Sequence, residues 1–284
     1  EVAEGVLWFR LPLPMKLDHV NIYALDDGDS WTVIDTGFDT GKTRRLWQEM
    51  MAGPMGGKPV GRVIVTHHHP DHIGLAGWIQ ADPELYEKRA AERPFNFADI
   101  VAPMPLGYTR IQQDQTIRIG GRTWDIHMGN GHAPEHATFW SRDDNLVLSG
   151  DQILSSISPN VGVHATEPMA DPIGEWLEAC ERLEPLARAD QLVLGGHKLP
   201  FTGLPTRMRQ LIDNHHGALK RLLEYIDTPK SATECYAPLF KRKIGEGEYG
   251  LAMVEAFAHL SHLYQTGLAT RSLRDDGAWV FQKA

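Results

Sequence analysis

Four short runs of Val, Ile and Leu, each halted by Gly, Asp or His, constrain the fold of this chain more than any other feature. They are WTVIDTG at 31–37, GRVIVTH at 61–67, LVLSGD at 146–151 and QLVLGGH at 191–197. Runs this short, rich in aliphatic residues and bounded by turn formers, read as strands rather than helices. QTIRIGGRTWDIHMG adds two more strands joined at Gly120-Gly121, a pair suited to a two-residue hairpin. Apolar residues at helical spacing predict helices near 40–51, 74–81 and 173–186, the last entered through Asp171-Pro172. The first two hundred residues are therefore an α/β mixture whose chemically able residues stand at strand ends.

From about Thr206 the texture changes. TRMRQLIDNHHGALKRLLEYID carries apolar residues at helical spacing over several turns. SATECYAPLF opens with Ser231 and Glu234 in capping-box register. YGLAMVEAFAHLSHLYQTGLATRSL reads as a further helix, and GAWVFQKA as a closing strand. The expected division is a catalytic domain over 1–205 and a small, mostly helical C-terminal domain with a terminal β-ribbon over 206–284. Charge divides the same way: the tail holds 11 Lys and Arg against 9 Asp and Glu, although the whole chain carries a net −9.

That balance argues mildly against a nucleic-acid binder. At 42% hydrophobic and 23% charged, the composition is that of an ordinary soluble globular protein. No apolar stretch approaches the roughly 18 to 20 residues needed to span a bilayer, so no membrane partner is expected. Cys180 and Cys235 form neither a disulfide framework nor a Cys-x-x-Cys pair, and two buried thiols in a reducing compartment are the expectation. The expected location is cytoplasmic; a chain beginning at Glu1 leaves a removed signal peptide open.

The stretch VTHHHPDHIGLAG places four histidines and an aspartate in the six positions 67–72, directly after an apolar strand. If the chain stays extended past that strand, His67 and His69 share a side and His68 points away. Pro70 then breaks the run and lets Asp71 and His72 turn toward a second, neighbouring position. The spacing therefore suggests two adjacent metal sites. One loop cannot complete both, so further ligands are sought at other strand ends: His132 behind Gly131, Asp151 closing LSGD, and His197 behind two glycines that permit close backbone approach.

The set His67, His69, Asp71, His72, His132, Asp151 and His197, with Asp35 in VIDTG, resembles the metallo-β-lactamase superfamily over about residues 5 to 205. The resemblance implies an αββα sandwich with the metal site at one edge between two sheets. It implies that His67, His69 and His132 hold one divalent metal, that Asp71, His72 and His197 hold the other, and that Asp151 bridges them. Asp35 would orient the ligands from behind rather than touch metal. Zinc is the default for such ligands, with iron or manganese also suited.

Two such ions would lower the pKa of a bridging water, and the resulting hydroxide would attack an electrophilic carbonyl or phosphoryl group, with Asp71 and Asp151 able to take the proton. Ligand identity disfavours the zinc β-lactamases with a site cysteine, and the flavodiiron branch, which carries Glu where this chain has His69. The remaining group resembles glyoxalase II and relatives with a C-terminal winged-helix-like domain. A small-molecule thioester or related activated carboxyl ester or lactone is the expected substrate. Phosphodiester hydrolysis, as in single-strand endoribonucleases, is the rival, with Lys241-Arg242-Lys243 as the basic run that would steer RNA. A mononuclear iron persulfide dioxygenase is a further alternative. His164 and Phe201 are candidate substrate contacts; His136 is expected in an outer or surface role, and Met169, Trp176 and Tyr108 are candidate pocket lining.

Overall fold

A computed structural model describes residues 1–76, 79, 101–105, 107–164 and 167–284. The chain divides into two compact units, Glu1–Met128 with Glu135–Ile157 and Asp190–Thr202, and Gly129–Pro134 with Ser158–Ala189 and Gly203–Ala284. The second unit thus takes in two segments that precede the sequence boundary at 205/206.

The first unit holds two sheets. In one, β1 (Val6–Pro12), β2 (His19–Asp26), β3 (Trp31–Ile34) and β4 (Val60–Ile64) pair in chain order, antiparallel except for the parallel β3–β4 pair. In the other, β5 (Thr116–Ile119), β6 (Arg122–Gly129), β7 (His136–Ser141), β8 (Leu146–Gly150) and β9 (Leu192–Gly195) also lie in order, and β8–β9 is the parallel pair. The β5–β6 turn is made by Gly120 and Gly121, at φ of 59° and 71°, the left-handed values a two-residue hairpin requires.

Alternation along each strand explains the layering. Tyr23, Leu25, Ile34 and Ile64 face Trp124, Ile126, Phe139 and Leu148 of the other sheet in one dry core. The opposite parity of the first sheet, including Val20, Ile22 and Val33, packs with Trp47 and Met50 of helix α1 (Gly41–Ala52). Every residue of β3 is buried, which is why its sequence runs apolar without alternation. Thr40 caps α1 by accepting from the Thr43 N–H. The helix expected over 74–81 falls partly outside the described residues; before it, α2 (Pro70–Ile73) forms a single turn.

In the second unit, α3 (Pro172–Leu183) starts with Pro172 in its first turn after Asp171, whose carboxylate accepts from Gly174 N–H. It is followed by α4 (Leu204–Tyr225), the short α5 (Tyr236–Phe240) and α6 (Tyr249–Gln265). The Glu234 carboxylate takes the N–H of Ser231, the half of a capping box that the register implied, and also accepts from its hydroxyl. One sequence expectation is corrected here. The helix read over the stretch from Tyr249 to Leu273 ends at Gln265, Gly267 turns the chain at φ 76°, and Ala269–Leu273 is a strand, β11. It pairs with β12 (Trp279–Lys283), which also pairs with β10 (Lys230–Ser231). Local spacing looked helical, but pairing with the neighbouring strand decides the state of a short, largely polar segment. Among the described residues no helix is long and apolar enough to cross a membrane.

Candidate metal centre

Parallel strand pairs end on the same side, so the residues just past each strand are delivered to one edge. Beyond β3 and β4 come Asp35 and Thr66; beyond β8 and β9 come Asp151 and His197. The Ala137 N–H of β7 donates to the Thr66 carbonyl at 2.9 Å, tying the two sheets together at this edge.

Asp35 is buried and held at φ 62°, a left-handed conformation unusual outside glycine. Its Oδ1 accepts the Thr66 N–H at 2.8 Å, and its Oδ2 accepts His72 Nδ1–H at 2.8 Å. That bond fixes the direction of the His72 ring and turns Nε2 toward the carboxylates. His197 is set the same way: its Nδ1–H donates to the His19 carbonyl at 2.7 Å. Four distances then link the inward atoms. His197 Nε2 stands 3.0 Å from Asp151 Oδ2 and 3.4 Å from Asp71 Oδ2; His72 Nε2 stands 3.5 Å from Asp151 Oδ2 and 3.7 Å from Asp71 Oδ2. Ligands bound tetrahedrally about 2.0–2.1 Å from a zinc ion stand roughly 3.3 Å apart, so this set has the spacing of a shared cation.

Charge agrees with geometry. Burial opposes ionisation of Asp151, yet the His197 and His72 imidazoles outweigh it and hold the carboxyl well below its usual range. Burial likewise disfavours a charged His197, but Asp151 and Asp71 push its pKa up to about 9. Asp71 is lowered because His72 and His197 overcome burial. Three buried or nearly buried carboxylates converge here, and the site calls for positive charge. His67 and His69 bring Nε2 and Nδ1 to 2.9 Å from one another, while His68 is exposed. The groups His67–His72–Asp151 and Asp71–His72–His197 each offer three ligand atoms within 4.8 Å of one another.

His132 belongs to the second unit, where its Nδ1–H donates to the Asn160 carbonyl at 2.7 Å. Of the proposed substrate contacts, His164 is exposed, and Phe201 is half-buried in a two-way backbone bridge with Val193. Tyr108 and Met169 are exposed, whereas Trp176 is fully buried. Arg242 of the basic run is engaged by both carboxylate oxygens of Glu248 at 3.0 and 2.7 Å.

His136, expected in an outer or surface role, is fully buried on β7, stacks on His67 at 4.5 Å, and accepts the Asp151 N–H at Nε2. Other residues that build the edge escaped sequence reasoning. Asn21 and Tyr23 of β2 both donate to the Gly195 carbonyl, and Asn21 also to Lys198, which clamps the loop bearing His197. A buried Asn inside HVNIYALD was the available signal. Gly196 was read as permitting close approach, and a Cβ there would lie 2.2 Å from Asp151 Oδ1.

Residues 15–210 match the family model described as Metallo-beta-lactamase superfamily. The chain belongs to that superfamily. Residues 219–284 match its companion, Metallo-beta-lactamase-like, C-terminal domain. Among solved structures, a Beta-lactamase domain protein from Burkholderia ambifaria is 33% identical with a TM-score of 0.90, covering 100% of this chain and 94% of that one. A probable metallo-hydrolase YqjP of Bacillus subtilis is 24% identical over 92% of both chains. An atrochrysone carboxyl ACP thioesterase, AgnL7 of Paecilomyces divaricatus, is 21% identical over 94% of this chain and 78% of its own length.

Proposed function

We propose that this hydrolytic enzyme cleaves a thioester, or a related activated carboxyl ester or lactone, with two divalent metal ions at the strand-end site. Asp71, His72 and His197 would hold one ion, His67, His69 and His132 the other, and Asp151 both. The observation that carries the reading is the fixed orientation of the inward donors: Asp35 and the His19 carbonyl take the Nδ1 protons of His72 and His197, so both Nε2 atoms face Asp71 and Asp151. Bound divalent ions would acidify water and polarise the carbonyl under attack.

The chain's own groups supply the rest. Asp151 is anchored at its backbone by His136 and at its carboxylate by His197, so it stays ionised and in place. Asp71 is less buried, with its side chain 17% exposed, and is the more accessible of the two carboxylates to a proton released by water. A thiol, with a pKa of about 8.5, departs as thiolate without a donor. No separate general acid is then needed. The thioesterase name of AgnL7 supports this substrate class over others.

The test is metal analysis of protein purified without chelator, with an acyl-thioester panel and single-stranded RNA assayed on the same preparation. Close to two metals per chain and thioester turnover, lost in Asp151→Ala, is the expected result. RNA cleavage instead would move the function to the phosphodiesterase branch. One iron and no hydrolysis would refute the dinuclear reading and favour a dioxygenase.

A further inference from the structure

Within the second unit, helix α6 is joined to the segment that holds His132. Asn160 Nδ2 donates to Glu255 Oε2 at 2.9 Å and to the Leu251 carbonyl, one turn earlier, at 3.3 Å. Two residues on, Gly162 lies so close to Val254 that a Cβ would stand 2.7 Å from its Cγ2. Val163 N–H then donates to the Val254 carbonyl at 3.2 Å. Asn160, Gly162 and Val163 are thus fastened along one stretch of α6, and the Asn160 carbonyl takes the Nδ1–H of His132 at 2.7 Å.

We propose that Asn160 and Glu255 are positioning residues for His132: through the Asn160 carbonyl they fix its Nδ1–H tautomer and ring direction, leaving Nε2 to hold metal. The proposal rests on the reading of His132 as a ligand. A backbone carbonyl can orient an imidazole only as firmly as its own residue is held. Asn160 sits in no helix or strand, so its side chain does the holding. The Glu255 carboxyl is the closer acceptor, at 2.9 Å against 3.3 Å for the Leu251 carbonyl, which makes Glu255 the main anchor and Leu251 the lesser. Partners that stand behind a metal-binding histidine typically govern affinity by about 10- to 100-fold. The C-terminal helix would in this way help to set metal affinity without any of its residues touching an ion.

The test uses the full chain. Zinc affinity is measured by chelator competition for the wild type, His132→Ala, Asn160→Ala, Glu255→Ala and Glu255→Gln. Long-range proton–nitrogen NMR of the metal-free protein reads the His132 tautomer independently of metal and of turnover. Glu255→Ala and Asn160→Ala are each expected to weaken the His132-dependent site about 10-fold and to turn one ring tautomer into a mixture. Glu255→Gln keeps an oxygen acceptor and is expected to recover most of the affinity and the single tautomer. Should Glu255→Ala fail to fold, Asn160→Ala breaks the same link from its other end. Loss of zinc in His132→Ala, with wild-type affinity and tautomer in both alanine variants, overturns the proposal. Full zinc binding by His132→Ala would sink the ligand reading instead, and an unchanged tautomer would then overturn the positioning role as well.

Discussion

Gly196→Ala isolates the steric demand of the metal edge. Gly196 is not among the residues at positive φ, so alanine meets no backbone penalty there. The obstacle is space: the added Cβ would lie 2.2 Å from Asp151 Oδ1 and 2.7 Å from His72 Cε1. The backbone cannot retreat, because Gly196 N–H is bonded to the Gly150 carbonyl at 2.9 Å and its carbonyl accepts from Asn21 at 2.6 Å. Asp151 must therefore move by about 1 Å, and a displacement of that size costs on the order of 10²-fold in rate, about 2.7 kcal/mol of transition-state stabilisation. The assay is kcat/KM on a thioester the wild type hydrolyses, with metal content and the thermal midpoint measured alongside. The expected pattern is a rate loss near 10²-fold with reduced metal and a far smaller change in folding. A variant with wild-type kcat/KM and full metal content would refute the reasoning, since the side chain would then have found room without disturbing the ligands.

Asp35→Ala removes the acceptor for Thr66 N–H and His72 Nδ1–H, both buried; it should lower metal affinity about 10- to 100-fold and stability by on the order of 3 kcal/mol, read by chelator competition and denaturant titration. His136→Leu keeps the volume but loses the acceptor for Asp151 N–H, so turnover should fall while the fold persists; unchanged turnover would show that Asp151 is held by its carboxylate alone. Burial, with smaller repulsion from neighbouring imidazoles and, for His259, Arg221, lowers the pKa of His215 to about 3 and that of His259 to about 4. A base whose folded pKa is depressed stabilises the fold fully above its unfolded value of about 6.5 and loses that contribution as pH falls through the folded pKa. The unfolding midpoint should therefore drop between about pH 6.5 and 4, and less steeply in a His215→Gln/His259→Gln variant; equal slopes would contradict the assignment of both as buried neutral imidazoles.

Much of this protein was legible in one dimension. The four aliphatic runs became β3, β4, β8 and β9; in β3, β8 and most of β9 burial on both faces leaves a pattern that needs no partner to be read. The candidate ligands of 67–72 announced themselves by residue type, as no ordinary loop concentrates imidazoles and carboxylates in this way. Gly120-Gly121 and the capping register of Ser231 and Glu234 are likewise local events, settled by φ or by a contact three residues away. Other features were decided only by the packed chain. Asp151 needs His136, 15 residues earlier, and His197 needs the carbonyl of His19, 178 residues away. The segment Ala269–Leu273 became a strand because β12 lies beside it, and the Asn160 side chain finds its partner because helix α6 brings Glu255 to it. Residue type and local spacing are written in the sequence itself. Which tautomer a histidine adopts, and which donor a carboxylate meets, depends on partners that only tertiary packing brings within hydrogen-bond reach.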